Sequence, residues 1–267
     1  MTTAARDRPR SAYRALELRA TLATSGILLV LSGLAWWSTV RRSGGMTDMV
    51  QGLSSVGTAM MGFDMSVPVF MLMWSTMMVA MMFPTVAPIV LLHRMVMRRR
   101  NATLLPTVFF GAGYLVVWTV AGVVPLVVLL AFRHASNNSG WIAPTSGIVL
   151  IVAGAYQFTK WKQICQRACQ SPMTFLMKHD FGTGARGALR TGAAHGLYCL
   201  GCCWALMAVL FVVGLMNLAW MAAISVVFLA EKNWRRGNVL SVVVGVGLIV
   251  LGAAIFVHPA TLTSVTA

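Results

Sequence analysis

Residues 195–203, HGLYCLGCC, carry four side chains that bind soft metals or exchange electrons. On an α-helix, at about 100° per residue, they fall on one face about 100° wide: His195, Cys199, Cys202 and Cys203. Thiolate and imidazole ligands together suit Cu(I) and other thiophilic ions. A structural interpretation stays open, because a buried cysteine also behaves as a small apolar residue.

A second thiol pair, Cys165 and Cys169, lies in the segment AGAYQFTKWKQICQRACQSP. If the preceding helix runs on to about Ser171-Pro172, one stripe contains Gln157, Trp161, Cys165 and Cys169. Both thiols then lie in or near a reducing cytoplasm, where a structural disulfide is not expected. The neighbouring cations of Lys162 and Arg167 are expected to lower the pKa of both thiols. The alternative is the end of an ordinary amphipathic helix.

Methionine is concentrated between residues 60 and 82, which hold nine of the chain's 19 methionines. On a helix, Met71, Met78 and Met82 share one face. These side chains are either flexible core filling or a thioether route for a soft metal. Asp64, beside Met65, is a candidate for the outer end of such a route. Pro84 and Pro88 are expected to kink the inner end of the helix.

The elements that position these groups are predicted from the composition of the 267-residue chain, which is 58% hydrophobic and 10% charged, with mean hydropathy +0.77. Continuous apolar runs predict an all-α polytopic membrane helix bundle rather than a barrel. Seven transmembrane helices are predicted: Ala20–Val40, Val67–Leu92, Leu104–Phe132, Trp141–Lys160, Thr191–Val213, Leu218–Ala230 and Val239–Val257. The sixth crosses only if its helix continues into residues 231–234. An amphipathic helix is expected on the outer surface over residues 49–60.

Charge predicts the orientation of these spans. Of the 21 basic residues, which dominate a net charge of +15, only Arg41, Arg42 and Arg133 fall on the side away from the N-terminus. The positive-inside rule therefore places the N-terminus in the cytoplasm and the C-terminus outside. The expected partner of the excess charge is a bilayer with anionic headgroups, not nucleic acid. We expect a basic tail over residues 1–19, a single transmembrane domain over 20–257 and a short external tail over 258–267.

Other polar residues leave alternatives open. Glu231, beside Lys232, is either half of a self-neutralising pair at the membrane surface or a carboxylate that helps to hold a metal near the cytoplasmic mouth. Asn217 is expected to cap the sixth helix. The remaining histidines are expected to be solvated: His93, His134, His179 and His258.

Four stretches carry a resemblance to a known family: MWSTMMVAMMFPTVAP, GYLVVW, AGAYQFTKWKQICQRACQSP and HGLYCLGCCWALMAVLFVVGLMNLAWMAAISVVFLAEKNW. In this order and spacing, over about residues 67–234, the chain resembles the bacterial predicted metal-binding integral membrane proteins, a domain of unknown function. The resemblance implies metal binding in a bacterial cytoplasmic (inner) membrane. In that family a Pro-Leu dipeptide precedes the lysine of the first cysteine-bearing stretch. This chain has Lys160-Trp161 there instead, which argues against a tight break after the fourth span.

Two functions follow from the residues. In the first, the protein binds a soft metal, above all Cu(I), for transport, storage or delivery to a copper enzyme or metallochaperone. In the second, it is a membrane thiol–disulfide relay that uses the Cys199/Cys202 and Cys165/Cys169 pairs. The methionines and His195 favour metal. Beyond the thiols the sequence contains no acid–base or nucleophile constellation, so an enzyme is not favoured, and the direction of transport and the oligomeric state stay open.

Overall fold

A computed structural model of the protein describes residues 4–43, 67–135, 142–179, 181, 184–214, 217–234 and 236–258. Within these residues the structure contains helices and no strands, which confirms the all-α class. The helices are α1 (Ala4–Ser43), α2 (Val67–Arg99), α3 (Leu105–Ala121), α4 (Val123–Ala135), α5 (Ile142–Tyr156), α6 (Lys160–Gln170), α7 (Pro172–Lys178), α8 (Gly184–Val213), α9 (Leu218–Asn233) and α10 (Gly237–Val257). The outer helix predicted over residues 49–60 lies outside the described part of the chain.

Within the described residues, five stretches of helix are by length and composition able to cross a membrane, which indicates a membrane protein: Leu22–Arg41, Val67–Arg99, Leu105–Val128, Gly184–Val213 and Gly237–Val257. The seven predicted spans are not confirmed. The fourth and sixth correspond to α5 and α9, which have 15 and 16 residues. At about 1.5 Å per residue they reach only about 22–24 Å, against a hydrocarbon core about 30 Å thick.

The third predicted span is divided at Gly122, between α3 and α4. The Gly122 N–H still donates to the carbonyls of Trp118 and Thr119, so the chain makes a tight turn rather than a loop. A Cβ at Gly122 would lie 2.5 Å from the ring of Trp74, whose Nε1 donates to the Trp118 carbonyl at 2.8 Å. The absence of a side chain at Gly122 therefore makes room for an indole of α2.

The segment after α5 differs from its prediction. A continuous helix through Lys160 was expected, but α5 ends at Tyr156, and Thr159 caps α6 by accepting from the Lys162 N–H at 3.3 Å. This break turns Trp161 outward, with 74% of its surface exposed, and buries Lys162 and Gln166. The predicted four-residue stripe is wrong because the break places Gln157 before α6, whereas Trp161, Cys165 and Cys169 stay at four-residue spacing on α6, which ends just before Ser171-Pro172.

Helix α8, which carries HGLYCLGCC, is packed against α3, α5, α6 and α9. Glycine allows the closest of these contacts, because a Cβ at Gly113 of α3 would collide with the Leu189 carbonyl and one at Gly192 of α8 with the Phe110 carbonyl. Small residues that let helix backbones approach are typical of membrane bundles. The cysteine-rich segment is consequently held at the centre of the protein by close backbone packing.

Helix α2 lies against α1, α3 and α9. It contains Pro84 and Pro88 and continues past the predicted end at Leu92 to Arg99. Five of its methionines are buried: Met77, Met78, Met81, Met82 and Met97. The predicted cap of the sixth helix is confirmed, since the Asn217 side chain accepts from the Trp220 N–H at 3.2 Å.

Gly113→Ala and Gly111→Ala form a matched pair on α3 that tests this packing. The Gly113 variant should lose about 1–3 kcal/mol of stability, because its methyl group meets the Leu189 carbonyl. A Cβ at Gly111 meets nothing within 4 Å, so this variant should gain up to about 1 kcal/mol from helix propensity. Thermal unfolding in detergent measures both, and equal effects would contradict the α3–α8 contact.

Candidate metal centre

Three thiols from two helices converge at the centre of the bundle. Cys169 of α6 and Cys199 and Cys202 of α8, here called the thiol cluster, have their Sγ atoms within 4.8 Å of one another. The Cys169 and Cys202 sulfurs are 3.9 Å apart. At a metal–sulfur distance of about 2.3 Å, two sulfurs on opposite sides of an ion lie about 4.6 Å apart, and three around it lie closer. The cluster therefore has the dimensions of a thiolate metal site.

Two helical features produce this convergence. On α8, the spacing of three residues between Cys199 and Cys202 places them on one face. The turn before α6 then brings Cys169 across to that face. The sulfur of Cys203 lies 3.4 Å from that of Cys202, so a fourth thiol borders the cluster. All three α8 cysteines are at most 3% exposed.

Lys232 places a positive charge against the cluster. Its Nζ lies 3.1 Å from the Cys199 sulfur, 3.2 Å from the Thr85 hydroxyl oxygen and 3.9 Å from the Met82 sulfur, and the residue is 7% exposed. The predicted pairing of Lys232 with Glu231 is wrong, because consecutive helical residues point in directions about 100° apart. A buried cation needs an anionic partner, and the Cys199 thiol is the acidic group in contact with this one.

Glu231 belongs to a separate polar network and not to the thiol cluster. The Lys162 ammonium donates to both of its carboxylate oxygens, at 2.9 and 3.0 Å, and also to the Gln157 side-chain oxygen. Ser241 of α10 donates to the same carboxylate at 2.8 Å. The self-neutralising pair at the membrane surface does not fit, since Glu231 is 2% exposed and its oxygens are bound by side chains of α6 and α10. A part for Glu231 in holding a metal stays a prediction.

Cys165 is on α6 with Cys169 but lies apart from the thiol cluster. Its sulfur packs on Gly201 of α8, where a Cβ would lie only 2.6 Å away. The expectation of lowered pKa values for this pair is wrong. Partial burial raises the pKa of Cys165, and a hydrogen bond with Cys199 raises the pKa of Cys169. The two expected cations do not act on these thiols, because Lys162 turns to Glu231 and Arg167 is exposed.

His195 also lies beside the thiol cluster rather than in it. It is 3% exposed and sits among the rings of Phe110, Tyr114 and Phe175, at centroid distances of 6.3, 6.0 and 5.0 Å. Its Nδ1 has no hydrogen-bond partner among the described residues. His195 lines a cavity of about 150 Å³ together with Cys169 and Lys232.

Of the methionines predicted as ligands, the structure describes Met78 and Met82. Met82 is fully buried, and its sulfur approaches the thiol cluster through Lys232. Met78, one turn earlier on α2, is 1% exposed and belongs to the same apolar core. Met65 and Asp64 lie outside the described residues.

Two contacts of the cluster were not predicted from the sequence. The Tyr114 hydroxyl lies 3.1 Å from the Cys199 sulfur, and Lys232 lies on the same thiol. A signal existed for each, since Tyr114 is a polar aromatic residue in an apolar run and Lys232 is a cation at the end of another. Neither signal identifies a partner 85 or 33 residues distant in the chain.

The histidines outside the motif divide between burial and exposure. His93 was expected to be solvated, but it is fully buried, 3.4 Å from the Thr107 hydroxyl and stacked on Phe110. This expectation is wrong because α2 continues past Leu92 into the packed bundle. His179 is half-buried against Phe175, and His258 is exposed as expected. The His134 side chain is outside the described part of the structure.

One family model matches most of the chain. It is described as PpoB2, a copper chaperone, and covers residues 71–255. No curated protein and no solved structure matches the chain. The match agrees with the metal-binding resemblance found in the sequence, and it includes the whole thiol cluster.

The double variant Lys162→Met/Glu231→Leu tests whether Glu231 is structural. Glu231→Leu alone should cost about 3–5 kcal/mol, because it leaves the buried Lys162 cation unpaired. The double variant should recover most of that loss and keep its bound metal, measured by thermal unfolding and by metal content in detergent. Loss of metal from a stable double variant would instead make Glu231 part of the metal site.

Proposed function

The chain belongs to the PpoB2 copper chaperone family, and from that premise we propose that it is a membrane protein that binds Cu(I) and hands it on. The observation that carries the proposal is the convergence of Cys169, Cys199 and Cys202 within 4.8 Å. Thiolate and thioether sulfur are the ligands that select Cu(I) over harder ions. Two or three of these thiols hold the ion, with Cys203 and His195 as further donors at the margin.

The proposed path of the metal runs along sulfur atoms. On one side of the thiol cluster, Met82 and then Met78 provide buried thioethers on α2. Asp64 and Met65 extend this route to the outer surface in the proposal. Cys165, one turn before Cys169 on α6, is the proposed next sulfur of the path on the other side. Glu231 acts indirectly, because its ion pair with Lys162 fixes α6 against α9.

We propose the seven-span topology, with a cytoplasmic N-terminus in a bacterial inner membrane, as the frame for this path. The short helices α5 and α9 cross if the bilayer thins locally or flanking side chains snorkel to the interface. The outer end of the path is then available to a copper enzyme, and the inner end faces the cytoplasm. Anionic headgroups complement the basic connections.

Membership of the copper chaperone family does not favour the thiol–disulfide relay. The geometry of its main pair also argues against it, because the Cys202 thiol donates to the Cys199 backbone carbonyl at 3.2 Å. That sulfur is therefore directed along its own helix. Joining two thiols one turn apart on a regular helix also requires strain.

Cys169→Ser and Cys165→Ser are matched substitutions one helical turn apart on α6, and they test the ligand assignment. Wild-type protein purified under reducing conditions should hold about one Cu(I) per chain, as the soft ligands prefer. Loss of a residue that only hydrogen-bonds to a metal ligand typically weakens metal binding about 10–100-fold. Cys169→Ser should weaken Cu(I) binding by more than that, whereas Cys165→Ser should keep the ion. Competition with a chromophoric Cu(I) chelator measures both. Equal affinities would remove Cys169 from the site.

Compartment-specific reporters fused after Arg236 and after Ala267 test the topology. The basic residues of the connection before α10 should hold Arg236 in the cytoplasm, while the C-terminus lies outside. A cytoplasmic reporter should be active only at Arg236 and a periplasmic reporter only at Ala267. Activity of the same reporter at both positions would reject the proposed orientation of α10.

A further inference from the structure

A cavity of about 150 Å³ connects the thiol cluster to the protein surface. Its walls include Val86 and Ile89 of α2, Cys169 of α6, His195 of α8, and Lys232 and Asn233 of α9. Asn233 is exposed, whereas Lys232 and His195 are almost completely buried. The cavity therefore opens at the C-terminal end of α9, and Cys169 is the cluster thiol on its wall.

The volume restricts what enters. At about 30 Å³ per water molecule in the liquid, the cavity holds roughly five waters, or one small side chain. A folded loop of a partner protein is too large. A single sulfur-bearing group of a few heavy atoms can reach Cys169 without movement of the helices.

The charge of the cavity selects among such groups. Within the described residues, the Lys232 ammonium has no carboxylate partner, because Glu231 is bound by Lys162. His195 contributes a buried ring nitrogen, Nδ1, without a hydrogen bond in the described part of the chain. A negatively charged molecule is thus complementary to the interior of the cavity, where the Lys232 ammonium and the His195 ring lie.

We propose that this cavity is the port at which Cu(I) exchanges between Cys169 and an external low-molecular-weight thiol that carries a negative charge. This inference rests on the proposed function and names its exchange partner by chemical class. A bond from copper to the Cys169 sulfur forms as the bond to the carrier sulfur breaks. The carrier sulfur leaves with the proton that Cys169 gives up. Copper remains Cu(I), so no electrons are transferred.

Three small thiols of similar size but different charge test the inference in the full-length protein in detergent. Cu(I) is supplied as its complex with 3-mercaptopropionate, which is anionic, 2-mercaptoethanol, which is neutral, or cysteamine, which is cationic. Uptake should be fastest from the anionic carrier and slowest from the cationic one, by about tenfold or more for a unit charge near a buried ammonium. A Cu(I) complex of a short cysteine peptide, supplied in parallel, distinguishes a peptide source from a small thiol, and equal or faster uptake from it would overturn the assignment to a small thiol.

Charge variants separate Lys232 from the general basic surface. Lys232→Met should abolish the preference for the anionic carrier, whereas Lys232→Arg should retain it. Lys178→Met removes one exposed charge from α7 and should leave the preference unchanged. Loss of preference in Lys178→Met to the same extent as in Lys232→Met would assign the effect to long-range attraction and overturn the port.

Bulky substitutions test the route itself. Val86→Trp fills the interior and Asn233→Trp covers the exposed mouth, so both should slow uptake about tenfold or more while the final copper content is unchanged. Their controls are Leu72→Trp and Leu229→Trp, which lie on the same helices at outward positions. Wild-type rates in Asn233→Trp and in Val86→Trp would overturn the port, as would rates independent of carrier charge. Absence of copper from the wild-type protein would instead remove the proposed function, and this inference with it.

Discussion

The bundle buries two ammonium groups, those of Lys162 and Lys232. Among the side chains that the structure describes, it buries one carboxylate, that of Glu231, which pairs with Lys162. Unpaired charges inside a bundle are costly, so each lysine requires an anionic or strongly polar partner. Glu231 satisfies Lys162, and Lys232 is left with the sulfur of Cys199. The arrangement of the metal centre depends on this division, because it directs a cation to the thiol cluster and removes the carboxylate from it.

Close packing converts this division into a fixed geometry. Glycines on α3 and α8 let the two backbones touch, which locks the register of Cys199 and Cys202. The Lys162–Glu231 pair, with the Gln166 and Gln170 amides that donate to the Glu231 carbonyl, holds α6 against α9. Cys169 is thereby positioned by contacts that contain no sulfur. Such preorganisation by surrounding residues is what a metal site needs in order to bind without rearrangement.

The sequence predicted the features that depend on local pattern. Apolar runs located the long helices, and residue spacing placed Cys199 and Cys202 on one helix face. It failed where the outcome depends on partners distant in the chain. The break before Thr159 and the inward turn of Lys162 follow from a carboxylate on α9, 69 residues away. The same cause separates Glu231 from Lys232 and removes Gln157 from the predicted stripe. His93 was misjudged because helix length, not local composition, decides its burial.

The thiol cluster draws its sulfurs from α6 and α8, two helices separated by α7 and a connection. A bound ion would link the two helices in the folded chain, and its binding free energy would contribute to folding because the unfolded chain has no preformed site. The added stability then rises with the logarithm of the free Cu(I) concentration once this exceeds the dissociation constant. During synthesis, Cys169 is made 30 residues before Cys199, so the high-affinity site exists only once α8 has packed. Copper occupancy would thus report that assembly of the bundle is complete.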